Sequence, residues 1–419
     1  MGQPFLCVVT TIGIYKRRRL CYNAVGDSMI KQIKHILKAI LRFFFLDLEI
    51  PRVYRKAAKQ PVDKNKIVFI EVRFPKITDS FRLLYDALCS REDLTVKTHY
   101  FLNFTVSLPA YRKRVLAAVR DMATAGVVFI NDASTAVAAV PLREETKLIN
   151  VWHACGAFKK FGLSTAELLF GDNAKEQKKH PNYNHQTLVT VSSPEVVWAY
   201  EEAMGIPSGS GVVLPLGISR TDVFYDGAFI EKARADVAAA FPMAADKKII
   251  LYAPTFRGRV KEATSPDKLD IGAFYEAFGD EYVLLMKHHP FVKKPPVIPE
   301  KYRGFACDVT KTAAIESLLC CADICISDYS SLVFEYSLFE KPILFFAYDL
   351  EEYFDWRGFY YDYRELAPGL IARSNEEMID YIRHLDARFD RNAVQQFRRR
   401  FMSACDGHAT ERIIDYALN

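Results

Sequence analysis

A histidine followed by a glycine-bearing turn and two lysines stands out first: V-W-H-A-C-G-A-F-K-K-F-G carries His153, Lys159, Lys160 and Gly162. At the carboxyl end of a strand, such a histidine pairs a general base with an anion-binding loop. Taken alone, a surface turn is the commoner origin of a His-Lys pair. Further along, L-Y-A-P-T-F-R-G offers Thr255 and Arg257, a hydroxyl and a guanidinium suited to phosphate oxygens. The run L-L-M-K-H-H-P adds Lys287, His288 and His289. The densest constellation is A-D-I-C-I-S-D-Y-S-S-L-V-F-E-Y-S-L-F-E-K-P. There a strand is expected to stop at Ser327 and Asp328 to cap, with Ser330 and Ser331 opening a helix whose free N–H groups and dipole attract an anion. Glu335 falls one turn beyond Ser331 on the same face and can accept hydrogen bonds from a ribose. Capping alone accounts for Asp328, Ser330 and Ser331; what favours a site is that four such strand tips would open on one cleft. Arg220 and Asp222 in G-I-S-R-T-D either line that cleft or pair to fix a loop. Cys320, Cys321 and Cys325 lack paired C-x2-C spacing and no compact carboxylate cluster stands out, so no metal is assigned and metal dependence stays open.

Those tips need a scaffold. From Lys66 onward, short β-branched runs alternate with longer helical stretches. Residues 67–72, 94–100, 126–130, 147–152, 187–192 and 211–214 are expected as a first series of strands. Residues 248–253, 282–287, 322–327, 342–346 and 370–372 form a second. Many are apolar on both faces, which implies parallel sheets covered by helices on each side. The alanine-rich stretch 226–246 between the series carries no chemistry, and the boundary is placed near Ala240. The expected fold is α/β, with two doubly wound, Rossmann-like lobes facing a cleft over residues 61–240 and 241–419, after a basic amphipathic leader over 1–60. In such sheets ligands bind beyond the carboxyl ends of the strands, where the residues above fall.

Composition agrees with this plan. A chain of 419 residues that is 50% apolar and 13% aromatic is neither disordered nor fibrous, and its length suits two or three domains. Nine cysteines are too few for a disulfide scaffold and point to a reducing cytosol. Every long apolar window is broken by charge, so no transmembrane helix is expected. The apolar stretch 5–14 precedes the basic cluster 16–19, the reverse of a secretory signal, and Met29 is an alternative start. The net charge is +5, yet residues 1–60 hold twelve Lys/Arg against three Asp/Glu, so all the positive excess sits in the leader. Within it Ile30, Ile33, Ile36, Leu37, Ile40, Leu41 and Phe44 repeat at helical spacing, while Lys31, Lys34, Lys38 and Arg42 stay off the stripe. A nucleic-acid-binding helix does not need that much Ile and Phe, so no nucleic acid is expected as partner. A basic amphipathic helix over residues 29–46, lying on an anionic membrane surface, does need it. The competing reading packs the stripe on the protein's own body or on a partner subunit.

The set W-H-A-C-G-A-F-K-K-F-G, L-Y-A-P-T-F-R-G, K-H-H-P, S-D-Y-S-S-L-V-F-E-Y, K-P-I-L-F-F-A-Y-D-L-E-E-Y and R-G-F-Y-Y-D-Y-R-E-L-A-P-G resembles the CDP-glycerol glycerophosphotransferase family, the teichoic-acid and capsule polymerases and primases. The motifs run in order from about residue 151 to 372. The resemblance implies a GT-B fold and peripheral attachment to the inner face of the cytoplasmic membrane. It also implies transfer of a polyol phosphate from CDP-glycerol, or another CDP-polyol, to a hydroxyl of a lipid-linked or polymer acceptor, with release of CMP. On this resemblance His153 is the general base, and His289 meets the donor pyrophosphate with His288 as a packing neighbour. Thr255, Arg257, Asp328, Ser330 and Ser331 would surround the two phosphates, joined on the donor side by Glu335 and by Arg357 of R-G-F-Y. Lys159, Lys160, Arg220 and Asp222 would serve the acceptor side. The first motif departs from the family's W-H-G-T-P-x-K, because Ala154, Cys155 and Gly156 replace Gly-Thr-Pro. Two alternatives share the same features: a nucleotide-sugar glycosyltransferase of GT-B fold, and a non-catalytic membrane-bound binding protein with a degenerate first motif.

Overall fold

A computed structural model of the chain describes residues 36–419, apart from 104, 167, 170, 172, 173, 260 and 261. Among the described residues the strands form two six-stranded sheets, parallel throughout. The first contains β1 (Asp63–Glu71), β2 (Thr95–Tyr100), β3 (Ala125–Ile130), β4 (Lys147–Asn150), β5 (Leu188–Thr190) and β6 (Val213–Leu214), in the order β2-β1-β3-β4-β5-β6. The second contains β7 (Lys248–Tyr252), β8 (Tyr282–Met286), β9 (Ala306–Asp308), β10 (Ile324–Ser327), β11 (Ile343–Phe346) and β12 (Ile371–Ala372), in the order β12-β11-β10-β7-β8-β9. β3 and β8 are buried at every position, as strands covered by helices on both faces must be. All eleven expected strands are present. The twelfth, β9, reads A-C-D, with no β-branched or aromatic residue to signal a strand.

Strand order places two crevices. The first sheet reverses between β1 and β3 and the second between β7 and β10, and these reversal points are where α/β sheets bind ligands. The lobes are held together by an apolar seam in which Phe158 packs edge-on against Phe334 and Phe359. A short antiparallel bridge reinforces it: Lys160 N–H donates to Gly358 O (3.1 Å) and Tyr360 N–H to Phe158 O (3.1 Å). The aromatic run 345–363 is therefore lobe closure as well as core.

The ends of the chain depart from the expected division. The last helix, Ala409–Leu418, falls in the segment expected as the second lobe, yet its Ile413 and Ala417 lie in the core of the first, beside Phe69 and Phe81. The leader also divides. Its Ile30, Ile33, Lys31 and Lys34 lie outside the described residues. Residues 36–43 are helical and continue through a π-helical turn (Phe44–Glu49) into the helix Ile50–Ala57. Pro51, which has no N–H to donate, lies two residues past that turn. Leu46, Ile50 and Tyr54 are buried in the first lobe's core, and Arg143 N–H donates to Tyr54 Oη (3.1 Å). Residues 46–58 are thus part of the lobe rather than of a detachable leader.

Candidate active site

At the tip of β4 the chain makes a strained turn. Asn150 Oδ1 accepts from Trp152 N–H (2.9 Å), and Trp152 adopts left-handed backbone with φ 52°. That conformation costs a bulky residue roughly 1–3 kcal/mol. The turn ends the strand two residues earlier than expected and puts His153 in the cleft, its ring stacked on Trp152 at 4.3 Å. His153 Nδ1 lies 2.9 Å from Asn131 O, beyond the end of β3. A carbonyl oxygen only accepts, so Nδ1 carries the proton and Nε2 keeps its lone pair. The ring is open to solvent at its edge but walled by protein, which lowers its pKa against the opposing pull of Asp132. Gly156, which stands where the family has proline, has φ 63°, and a side chain there would strike the Phe334 ring. Proline cannot take that angle, so the loop path seen here needs the glycine.

The second crevice has a rigid floor. Asp328, buried at the tip of β10, accepts from Thr255 N–H (2.7 Å) and Tyr329 N–H (2.6 Å) through Oδ1 and from Arg257 Nη1 (2.9 Å) through Oδ2. Arg257 also donates to both oxygens of Asp349 (2.7 and 2.9 Å) and to Thr255 O (2.7 Å). Tyr329, Tyr348 and Tyr353 surround its guanidinium at 5.0–5.7 Å. Arg257 and Asp328, expected to surround the phosphates, are thus engaged with each other and with Asp349. They staple β7 to β10.

What remains above that floor is polar and only lightly engaged. Thr255 Oγ1 is buried without a hydrogen-bond partner among the described residues. Ser331 begins the helix Leu332–Tyr336 without capping it through its side chain, and Ser330 Oγ accepts only a long 3.4 Å contact from Leu332 N–H. His289, half-buried against Phe256 and Phe291, accepts from Phe291 N–H at Nδ1 (3.2 Å). Its proton is therefore on Nε2, the reverse of His153. Burial, then the charges of Lys159 and Arg73, hold its pKa down at about 4, so it is a neutral donor. His288 is buried, with Nδ1 2.6 Å from Ser265 Oγ, and behaves as the packing neighbour.

Between the lobes the expected acceptor-side residues separate. Lys159 lies on the interlobe bridge opposite Phe359, and its ammonium is within electrostatic range of Arg357, Asp328 and Arg257 on the donor side. It has no partner among the described residues. Burial, reinforced by Arg357, lowers its pKa to about 7. Lys160 shares the bridge, its carbonyl accepting from Arg357 Nε (3.2 Å). Arg220, 13% exposed, donates to Glu335 Oε1 (2.5 Å), so the buried Glu335 carboxylate, expected to accept from a ribose, is engaged by an arginine of the first lobe. Asp222 accepts from Ala409 N–H (3.2 Å) and Thr410 N–H (2.7 Å), capping the last helix away from the cleft. Sequence reasoning missed Arg73, two residues past β1 at the first crevice, whose charge bears on both His153 and His289. The strand-tip rule that found the others pointed to it as well.

Two doubly wound lobes, with a histidine and open polar groups at the strand tips of each, define a GT-B-like fold with its candidate site between the lobes. The chain belongs to the CDP-Glycerol:Poly(glycerophosphate) glycerophosphotransferase family, which matches residues 52–419. It is 34% identical over 85% of its length to the teichoic acid poly(ribitol-phosphate) polymerase of Bacillus spizizenii, of which it spans 56%. It is 32% identical over 86% of its length to the teichoic acid ribitol-phosphate primase of the same organism, spanning 92% of that protein. The wall teichoic acid polymerase TagF shares the fold, with a TM-score of 0.74 and 21% identity over 94% of this chain and 97% of that one.

Proposed function

We propose that the protein transfers a polyol phosphate from a CDP-activated donor to a hydroxyl of a lipid-linked or polymer acceptor, in teichoic-acid or capsule-like polymer synthesis. The observation that carries this reading is the opposed tautomers of the two cleft histidines. His153 presents a lone pair from the first lobe, and His289 presents an N–H from the second. His153 Nε2 takes the proton of the acceptor hydroxyl as its oxygen attacks the phosphorus bearing the polyol. The bond from that phosphorus to the bridging oxygen breaks, and CMP leaves with the electron pair. His289, Thr255, Ser330, Ser331 and the Lys159 ammonium hold the pyrophosphate oxygens, while Arg257 and Asp328 keep the floor beneath them rigid. Phosphoryl transfer asks for alignment and charge neutralisation, and this set supplies both.

The ribitol-phosphate relatives cover most of this chain, so CDP-ribitol is the donor to test first, with CDP-glycerol beside it. Ile36, Leu37, Ile40, Leu41 and Phe44 are 45–59% exposed on the first helix, beside Lys38. That face supports the peripheral membrane reading, in which the helix lies on an anionic inner surface and brings the cleft to a lipid-linked acceptor. Incubating the purified protein with each CDP-polyol, a panel of nucleotide sugars and a lipid-linked primer separates the possibilities. CMP released only with a CDP-polyol and acceptor together is expected; turnover of a nucleotide sugar, or none of any donor, would sink the reading.

A further inference from the structure

Arg73 and Asp132 face each other across the first sheet's reversal point, each two residues beyond its strand, β1 and β3 respectively. Asp132 is buried and fixed by Ala133 N–H (2.7 Å). It accepts from Arg73 Nε, and from Nη2 at 3.1 Å. That pairing engages one edge of the guanidinium and leaves Nη1 without a partner among the described residues. The Arg73 side chain remains 43% exposed, whereas Asp132 is 8% exposed, so the carboxylate is anchored and the free edge meets the cleft. Arg257 and Arg220, by contrast, are held by Asp328, Asp349 and Glu335.

The position of this free edge matters. Arg73 lies within electrostatic range of His153 on its own lobe and of His289 on the other. In the reading above the attacking oxygen is beside the first histidine and the pyrophosphate beside the second, so the phosphorus in transit lies between them. Negative charge there spreads over three equatorial oxygens, and a pre-oriented guanidinium matches two such oxygens at once. We propose that Arg73 is a further catalytic residue, its free edge contacting equatorial oxygens of the phosphoryl group being transferred. This rests on the phosphotransfer reading. A phosphodiester of the acceptor chain offers the same chemistry, and the experiment below separates the two.

The test compares wild type, Arg73→Lys and the double variant Arg73→Gln/Asp132→Asn, which leaves no buried carboxylate unpaired. CMP release is measured at saturating CDP-polyol and acceptor, together with the acceptor KM, the affinity for CDP and the melting temperature. Loss of an electrostatic stabiliser of this kind lowers kcat on the order of 10²–10³-fold. That loss is expected in the double variant, with acceptor KM and CDP affinity held, and Arg73→Lys should recover only part of it because it keeps the charge without the fork. A purely structural role would instead lower the melting temperature and CDP affinity along with the rate, and would overturn the proposal. So would a kcat close to wild type, or a loss confined to acceptor KM, which would assign Arg73 to the acceptor's own phosphate. A wild-type protein that turns over no CDP-polyol overturns the parent reading and this inference together; an active wild type matched by the variants overturns this inference alone.

Discussion

A carbonyl oxygen only accepts and a backbone N–H only donates, so Asn131 and Phe291 decide which nitrogen of each cleft histidine is protonated. The sequence could nominate His153 and His289 by their places at strand tips, but not the opposite tautomers, which depend on backbone groups brought together by folding. The same limit hid the mutual engagement of Arg257 and Asp328, which joins residues 71 apart in the chain. Arg257→Ala should therefore lower stability by about 3–5 kcal/mol, as removal of one partner of a buried pair does, and chemical denaturation would show it. A variant as stable as wild type with weakened CDP binding would restore the phosphate-ligand role. Lys159 gives a pH signature. It is half-charged near pH 7 in the free protein, so kcat/KM should fall on the alkaline side from about there. On the acid side it falls as His153 gains a proton, below the ordinary histidine range. In kcat the alkaline limb should shift upward, because bound phosphates favour the charged lysine. Lys159→Met should abolish the alkaline limb; an unchanged limb would show that another group sets it.

At the scale of elements, the strands were legible because buried parallel strands are apolar on both faces, and β9 was not because Ala306-Cys307-Asp308 holds no β-branched or aromatic residue. Contacts between elements were not legible at all. The helix Asp79–Cys89 of the first lobe and the helix Ile315–Cys321 of the second meet through Asp79 and Glu316. Burial, then the charge and hydrogen bond of Asp79, push the Glu316 carboxyl up to about 8. The proton stays on Glu316 because Asp79 is the carboxylate beside Arg220, at 3.7 Å. Lys287 also faces the pair. A carboxyl raised on folding contributes most to stability below the pKa of the unfolded chain. That contribution is lost as pH climbs through about 8. Glu316→Gln keeps a donor and does not titrate, so its melting temperature should hold between pH 5 and 9 where that of wild type declines. Parallel declines would remove this pair as the cause.

At the scale of the whole molecule, two lobes and a cleft could be read from the alternation of strands and helices. The return of the last helix to the first lobe could not, because its apolar face does not say which sheet it covers. The leader was half legible: periodicity found the amphipathic helix, but only packing shows that Leu46, Ile50 and Tyr54 belong to the core. A chain beginning at residue 45 should therefore fold and keep turnover on a soluble acceptor while failing to co-sediment with anionic vesicles. Retained sedimentation would remove the first helix as the membrane contact. The central claim, that the two histidines divide base and donor-holding roles between the lobes, is tested most directly by pairing calorimetry with turnover. The measurement is CDP-polyol binding and CMP release in His153→Ala and His289→Ala. His153→Ala should bind the donor as wild type does and lose turnover by at least about 10²-fold, while His289→Ala should lose donor affinity by roughly tenfold or more. Equal loss of donor affinity in both variants, or turnover surviving in His153→Ala, would contradict the account.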